Sequence, residues 1–346
     1  MTTSLTAEPR IPAVHRDRIG LRDSAWLAWR QSRATILVTG ALVAALCGGL
    51  LWVDAQLPSA PCAENSTCWV TAHRYESWAA PLLWLTLALP FFVAVFWGAP
   101  LVAREYEQRT HLLAWSQDVS ERRWLLSRIV LLGSISSGLA ITVVLAATPL
   151  LHTVRVAGLG SGFGQWWETV PFEAAAPLAV AYTIAGLGMG LAVGTLVRRV
   201  VPAMGITLAA FAVMRVLLER LRFSLLPPLH RLVPVDFYVG ANAGFSGVGP
   251  AVDTPGPTDY ILGGEWVDAS GRPTELPRAC VDGATGGQDS FFQCLRGSGI
   301  THWREAYQPA DRIDVLRLIE AGTFVAVAVA AIAAVAYLVQ RRRTIV

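Results

Sequence analysis

Lysine occurs nowhere in the 346 residues; all 28 basic positions are arginine. That absence excludes a phosphate-gripping P-loop of the form G-x-x-x-x-G-K-[ST], a Schiff-base lysine and a Ser-Lys dyad. Arginine alone is most simply read as GC-rich codon usage. Charge of either sign is scarce: 15% of residues are charged against 53% hydrophobic, and the mean hydropathy is +0.46. Soluble domains carry roughly a quarter charged residues, so the deficit points to a bilayer. The net charge of +3 is small and no basic run interleaves with aromatics, which argues against a nucleic-acid partner. Enzyme signatures are missing too. The histidines form no H-E-x-x-H and no cysteine pair has zinc-like spacing, so no metal is expected. Gly244-Phe245-Ser246-Gly247-Val248 fails the G-x-S-x-G pattern at its last position.

What is present is long apolar runs. A helix crosses the hydrocarbon layer with roughly 20 mostly apolar residues. Six stretches qualify: 34–53, 81–103, 129–151, 174–197, 200–218 and 319–339. Arg215 interrupts the fifth, and Pro90 and Pro100 fall within the second. The arginines sort the connections into two sets. Residues 10–33, 104–128, 198–199 and 341–343 are short and arginine-dense; 54–80, 152–173 and 219–318 are long and arginine-sparse. By the positive-inside rule the first set, with both termini, is cytoplasmic. Cys62, Cys68, Cys280 and Cys294 all fall in the second set, where disulfides persist, while Cys47 lies in the first span. Of three possible pairings, 62–68 with 280–294 is favoured because each closes a local loop. Residues 1–33, with six arginines and three acids before any apolar run, do not read as a signal peptide. The Gly-, Pro- and Asp-rich segment 219–318 shows no sustained helix or strand period and is expected to be a small lid without its own core.

The densest polar sequence follows the second span: Arg104-Glu105-Tyr106-Glu107-Gln108-Arg109-Thr110, then Leu113-Ala114-Trp115-Ser116-Gln117, then Ser120-Glu121-Arg122-Arg123-Trp124-Leu125. Asp118 and Glu121 have capping-box spacing ahead of the third apolar run. This stretch resembles the permeases of type-2, export-class ABC transporters, in which an E-x-E-x-G-T motif after the second of six spans leads to a coupling helix. Arg109 stands at the position of the family glycine. Gly98-Ala99-Pro100 and Tyr307-Gln308-Pro309-Ala310-Asp311-Arg312 look like the actinobacterial branch. The resemblance implies a non-catalytic permease subunit in the plasma membrane that exports a hydrophobic or amphipathic substrate. It implies two copies of a separate ABC ATPase, which would carry the ATP and Mg, and a second permease copy. The coupling surface would comprise Arg104, Glu105, Glu107, Thr110, Trp115, Gln117, Glu121, Arg122, Arg123 and Trp124.

The expected fold is all-α integral membrane, with six transmembrane helices and cytoplasmic termini. The resemblance implies an N-terminal elbow helix within residues 1–33; 34–218 hold spans one to five with the coupling loop 104–128, and 219–318 form the disulfide-pinned extracellular loop. Span six and a basic tail complete the chain at 319–346. Within span four, Gly186, Gly188, Gly190 and Gly194 read as a ridge for close helix approach. Arg215 and Glu219, four apart, could pair on one helix face, or Arg215 could snorkel to headgroups. With Glu320 they are candidates for the pathway, since ionisable groups at membrane depth are functional by default. Two other classes compete. An ion-coupled secondary transporter predicts buried acids and an internal repeat. A membrane enzyme at the outer face predicts clustering of residues such as Glu168, Glu173, His230 and Asp236.

Overall fold

The computed structural model describes residues 21–58, 60, 66–108, 121–157, 163, 166–235, 245–246, 249–250, 259–282 and 288–341. The first helix, α1 (Leu21–Gln56), runs unbroken for 36 residues. No separate elbow therefore precedes the first span among the described residues. The reason is local: residues 21–33 contain neither glycine nor proline, so nothing ends the helix before the apolar run begins. Next comes α2 (Thr67–Thr86), capped by Ser66, whose Oγ accepts from the Trp69 N–H at 3.1 Å. A bend of 40° separates it from α3 (Leu89–Glu107). Pro90, in the first turn of α3, cannot donate back across the break. The second span expected at 81–103 straddles this bend, and Val93–Gly98 just beyond it is π-helical.

The remaining helices are α4 (Glu121–Val156), the short α5 (Thr169–Glu173), α6 (Ala176–Val197), α7 (Val200–Leu221) and, after the lid, α10 (Ile313–Arg341). Five single helices are long and apolar enough to cross a membrane, and the bent pair α2–α3 makes a sixth. They alternate in direction. Glu105 and Glu107 at the end of α3 meet the starts of α4 and α7, whereas Asp54 near the end of α1 accepts from Thr153 near the end of α4 at 2.6 Å. One end of the bundle is arginine-rich and the other carries the lid.

Helix α6 is the axis. In its apolar window 61% of the residues are buried, against 22–33% in the other four single-helix spans. It packs against α3, α4, α7 and α10. Glycine makes this possible. A Cβ on Gly186 would lie 2.9 Å from the Pro90 carbonyl oxygen, one on Gly190 would lie 2.6 Å from the Ala99 nitrogen, and one on Gly194 would collide with the Ala99 carbonyl. Gly98 answers from the other side, facing the Leu187 backbone. Gly188 faces Ala328 of α10. The expected ridge is a backbone-to-backbone contact, the closest approach two helices can make.

Residues 229–308 differ from the coreless lid expected. Strands β1 (Leu229–Pro234), β2 (Tyr260–Asp268) and β3 (Ile300–Gln308) form an antiparallel sheet in the order β1-β3-β2. Helices α8 (Arg278–Asp282) and α9 (Gln288–Gly297) are joined by the Cys280–Cys294 disulfide. Val235, Trp266, Phe291, Phe292, Leu295, Ile300 and Trp303 make a separate core. The strands escape a period-two reading because register shifts at Ile261/Gly263 and Val267/Asp268 break the alternation. Arg231 bridges Asp259 and Glu305 at 2.7 Å each. Burial opposes its charge, but bonding to the two acids outweighs this and holds its pKa above the ordinary value. Cys68 is also disulfide-bonded, while Cys62 lies outside the described residues and Cys47 is free.

Two outcomes are expected. Gly190→Ala, which must push α3 away, should cost about 1–3 kcal/mol, seen as a lowered unfolding midpoint in detergent; Gly138→Ala, with no atom near the added Cβ, should leave it unchanged. Replacing Cys280 and Cys294 by serine should remove about 3 kcal/mol from the lid alone, read as faster proteolysis there with the helices intact.

Candidate functional site

Three consecutive residues at the arginine-rich end of α3 each touch a different helix. Glu105 Oε1 meets Arg128 Nη1 of α4 at 3.3 Å. The Tyr106 ring lies 5.7 Å from the Arg198 guanidinium, which follows α6. Glu107 Oε2 accepts from the Val200 backbone N–H at 3.0 Å, one of the donors a helix start leaves without an intrahelical partner. The α6–α7 connection is tight because Arg198 takes a left-handed conformation, φ 59°, closing α6 with a bond to the Gly194 carbonyl. The tip of α3 is thus tied to α4, to the α6–α7 turn and to α7.

A second cluster sits at the lid end, where side chains from four helical segments and the turn after α7 converge. Glu173, the last residue of α5, accepts from Arg215 of α7 and from Arg222 at 2.8 Å. Arg222 Nε also donates to Glu320 Oε2 of α10 at 2.9 Å, and the Tyr182 hydroxyl of α6 donates to Glu320 Oε1 at 2.5 Å. Aromatic faces complete the lining: Arg215 stands 3.9 Å over Tyr182, and Arg222 stands 3.8 Å over Phe172. All four charged residues are buried, and the two acids match the two guanidinium groups one for one. Charge-balanced networks of this kind are tolerated where lone charges are not, although Arg215 Nη1 is buried without a hydrogen-bond partner. Directly above, Phe223 stacks on Tyr260 of β2 at 3.9 Å, and the Gln308 amide donates to the carbonyls of Phe223 and Leu226. The lid is fastened over the charge cluster.

A family model described as ABC-2 membrane transporter related matches residues 33–222. The chain belongs to that family. Searches of curated proteins and of solved structures gave no match. The matched region begins in α1 and ends at Arg222, so it contains the 105–107 tie and three of the four cluster charges but not the lid. As an ABC-2 permease the chain is a multi-pass transporter membrane subunit.

Of the coupling candidates, Arg104, Glu105 and Glu107 lie on α3, with Arg104 exposed and the two acids engaged within the permease. Glu121, Arg122, Arg123 and Trp124 occupy the first turn of α4. Thr110, Trp115 and Gln117, together with Asp118 of the capping box, fall outside the described residues. The pathway candidates divide. Arg215 and Glu320 join the lid-end cluster, but Arg215 pairs with Glu173 rather than Glu219 and points inward instead of snorkelling. Glu219 accepts instead from the Thr169 hydroxyl at 2.7 Å. Of the residues weighed for an outer-face enzyme, only Glu173 joins the cluster; His230 lies on an exposed strand and Asp236 outside the described residues. Among the described residues no group of three His, Cys, Asp or Glu could hold a metal. Sequence reasoning missed Tyr182, Arg222 and Arg128. For Arg222 a signal existed: seven residues from Arg215, it shares that residue's helix face.

The cluster generates a stability test in this permease. Arg222→Met leaves Glu320 buried without a cation, while Glu173 keeps Arg215, and should cost about 3–5 kcal/mol, read from thermal unfolding in detergent. Adding Glu320→Gln should recover part of that loss, since the uncompensated charge is removed.

Proposed function

We propose that this chain is the permease half of an ATP-driven exporter whose ATPase is a separate polypeptide. The observation that carries the reading is the Glu105-Tyr106-Glu107 tie, placed where the resemblance puts a coupling motif, inside the matched region. The arginine-rich end faces the cytoplasm of a plasma membrane, in keeping with the positive-inside rule, and the disulfide-bearing lid faces outward. ATP and Mg bind the partner, since a chain without lysine cannot form a standard P-loop. Two ATPases and a second permease copy complete the assembly.

In this mechanism the ATPase engages the loop 104–128 through Arg104, Thr110, Trp115, Gln117, Glu121, Arg122, Arg123 and Trp124. Glu105 and Glu107 act one step further in. A push on the loop moves the end of α3, and their bonds carry the displacement to α4 and to the start of α7. The 40° bend before Leu89 lets α3 tilt apart from α2, while its backbone contact with α6 makes the two move together. At the far end α5, α6, α7 and α10 are cross-linked by the charge cluster, so helix movement must either carry the cluster as a unit or open it. A hydrophobic or amphipathic substrate suits the apolar bundle.

The full chain, purified in mild detergent from its own membranes, should retain an ABC ATPase and stimulate its hydrolysis. In the reconstituted complex Glu105→Arg should lower transport at least about tenfold while hydrolysis continues, and the swap Glu105→Arg with Arg128→Glu should restore it. Absence of an ATPase partner, or transport untouched by Glu105→Arg, would overturn the reading.

A further inference from the structure

A groove of about 350 Å³ opens between α1, α3 and α4 at the arginine-rich end, a size at the lower edge of small-molecule sites. Its walls are graded. Phe96, Trp97, Leu101 and Leu132 form the deep, apolar part, while Ser32, Arg104, Glu105 and Arg128 ring the polar mouth. The apolar stretches of α1 and α4 begin at Ser32 and Leu125, within a turn of the mouth residues, the level expected for headgroups. Its charge is unbalanced. Arg128 is matched by Glu105, but Arg104 is exposed and, among the described residues, meets no carboxylate. Phe96 is 47% exposed although it lines the groove, so apolar surface there is uncovered.

We infer that this groove binds an anionic phospholipid from the leaflet at the arginine-rich end, its phosphodiester on Arg104 and the upper part of one acyl chain against Phe96, Leu101 and Leu132. The apolar floor selects a lipid over a free anion. An inorganic phosphate would use the arginine but leave the apolar floor empty, whereas a lipid matches both parts of the gradient at the depth where its own headgroup lies. A guanidinium also suits phosphate oxygens, which it can grip with two parallel N–H donors. Because Arg104 directly precedes the residue that ties α3 to α4, the bound headgroup stands beside the tie and would brace α1 against it.

The test uses the full chain in detergent, titrated with dioctanoyl-phosphatidylglycerol and followed by native mass spectrometry and unfolding midpoint. Dioctanoyl-phosphatidylcholine and glycerol 3-phosphate serve as the neutral-lipid and headgroup-only arms. Phosphatidylglycerol should bind and stabilise, phosphatidylcholine should bind less tightly, and glycerol 3-phosphate should do neither. Arg104→Gln should weaken phosphatidylglycerol about fivefold, and Leu101→Trp, which fills the floor, should weaken both lipids. Equal affinity in wild type and Arg104→Gln, or stabilisation by glycerol 3-phosphate equal to the lipid's, would overturn the proposal. Protection of a cysteine at position 35, introduced as Thr35→Cys with Cys47→Ser, from maleimide in lipid-free protein would also sink it, because the chain itself would then fill the groove. No ATPase and no transport enter this assay, so its failure and that of the exporter reading are separable.

Discussion

Much of this bundle depends on the absence of side chains at Gly98, Gly186, Gly190 and Gly194. Where these glycines meet, α3 and α6 touch backbone to backbone, and any Cβ at Gly190 or Gly194 would force them apart. In a bilayer the hydrophobic effect does little to bring helices together, so close van der Waals packing of this kind has to supply the association. The contact fixes α3 against the axial helix. It thereby fixes where the bend at Leu87–Ala88 can swing and where Glu105 and Glu107 emerge. Displace α3 by one methyl group and the tie at its tip loses its geometry.

The two polar clusters sit at opposite ends of that packed pair and differ in kind. At the arginine-rich end, two bonds and one cation–π contact from adjacent residues reach three neighbours, an arrangement able to transmit a displacement. At the lid end, two carboxylates, two guanidinium groups and a phenol close on each other in a buried, neutral set. Such a set contributes little net stability over apolar packing, yet losing one member is costly. Its value is therefore in holding α5, α6, α7 and α10 in one arrangement at the floor of the lid. The lid, with its own aromatic core and disulfide, is a small domain in its own right, fastened by Phe223, Tyr260 and Gln308.

Several elements were legible in advance and some were not, for reasons that lie in range. The apolar runs, the glycine ridge and the 280–294 pairing are local features, and each appears in the structure as read, although the second span proved bent at Leu87–Ala88. The sheet in 229–308 was invisible because its strands pair across dozens of residues and bulges disrupt their alternation. The elbow helix was expected from the family resemblance, but helix continuity is decided by breakers, and 21–33 has none.

The sequence by itself determined the membrane class, the alternating spans and the family motif, because composition, run length and arginine placement act locally and additively. Tertiary structure alone decided the partners of the charges. Arg215 chose Glu173 over Glu219, and Arg222 reached Glu320 across 98 positions of the chain. A buried charge is paired with whatever opposite charge the packed helices bring within reach, and which helices meet was settled by the glycines of α6.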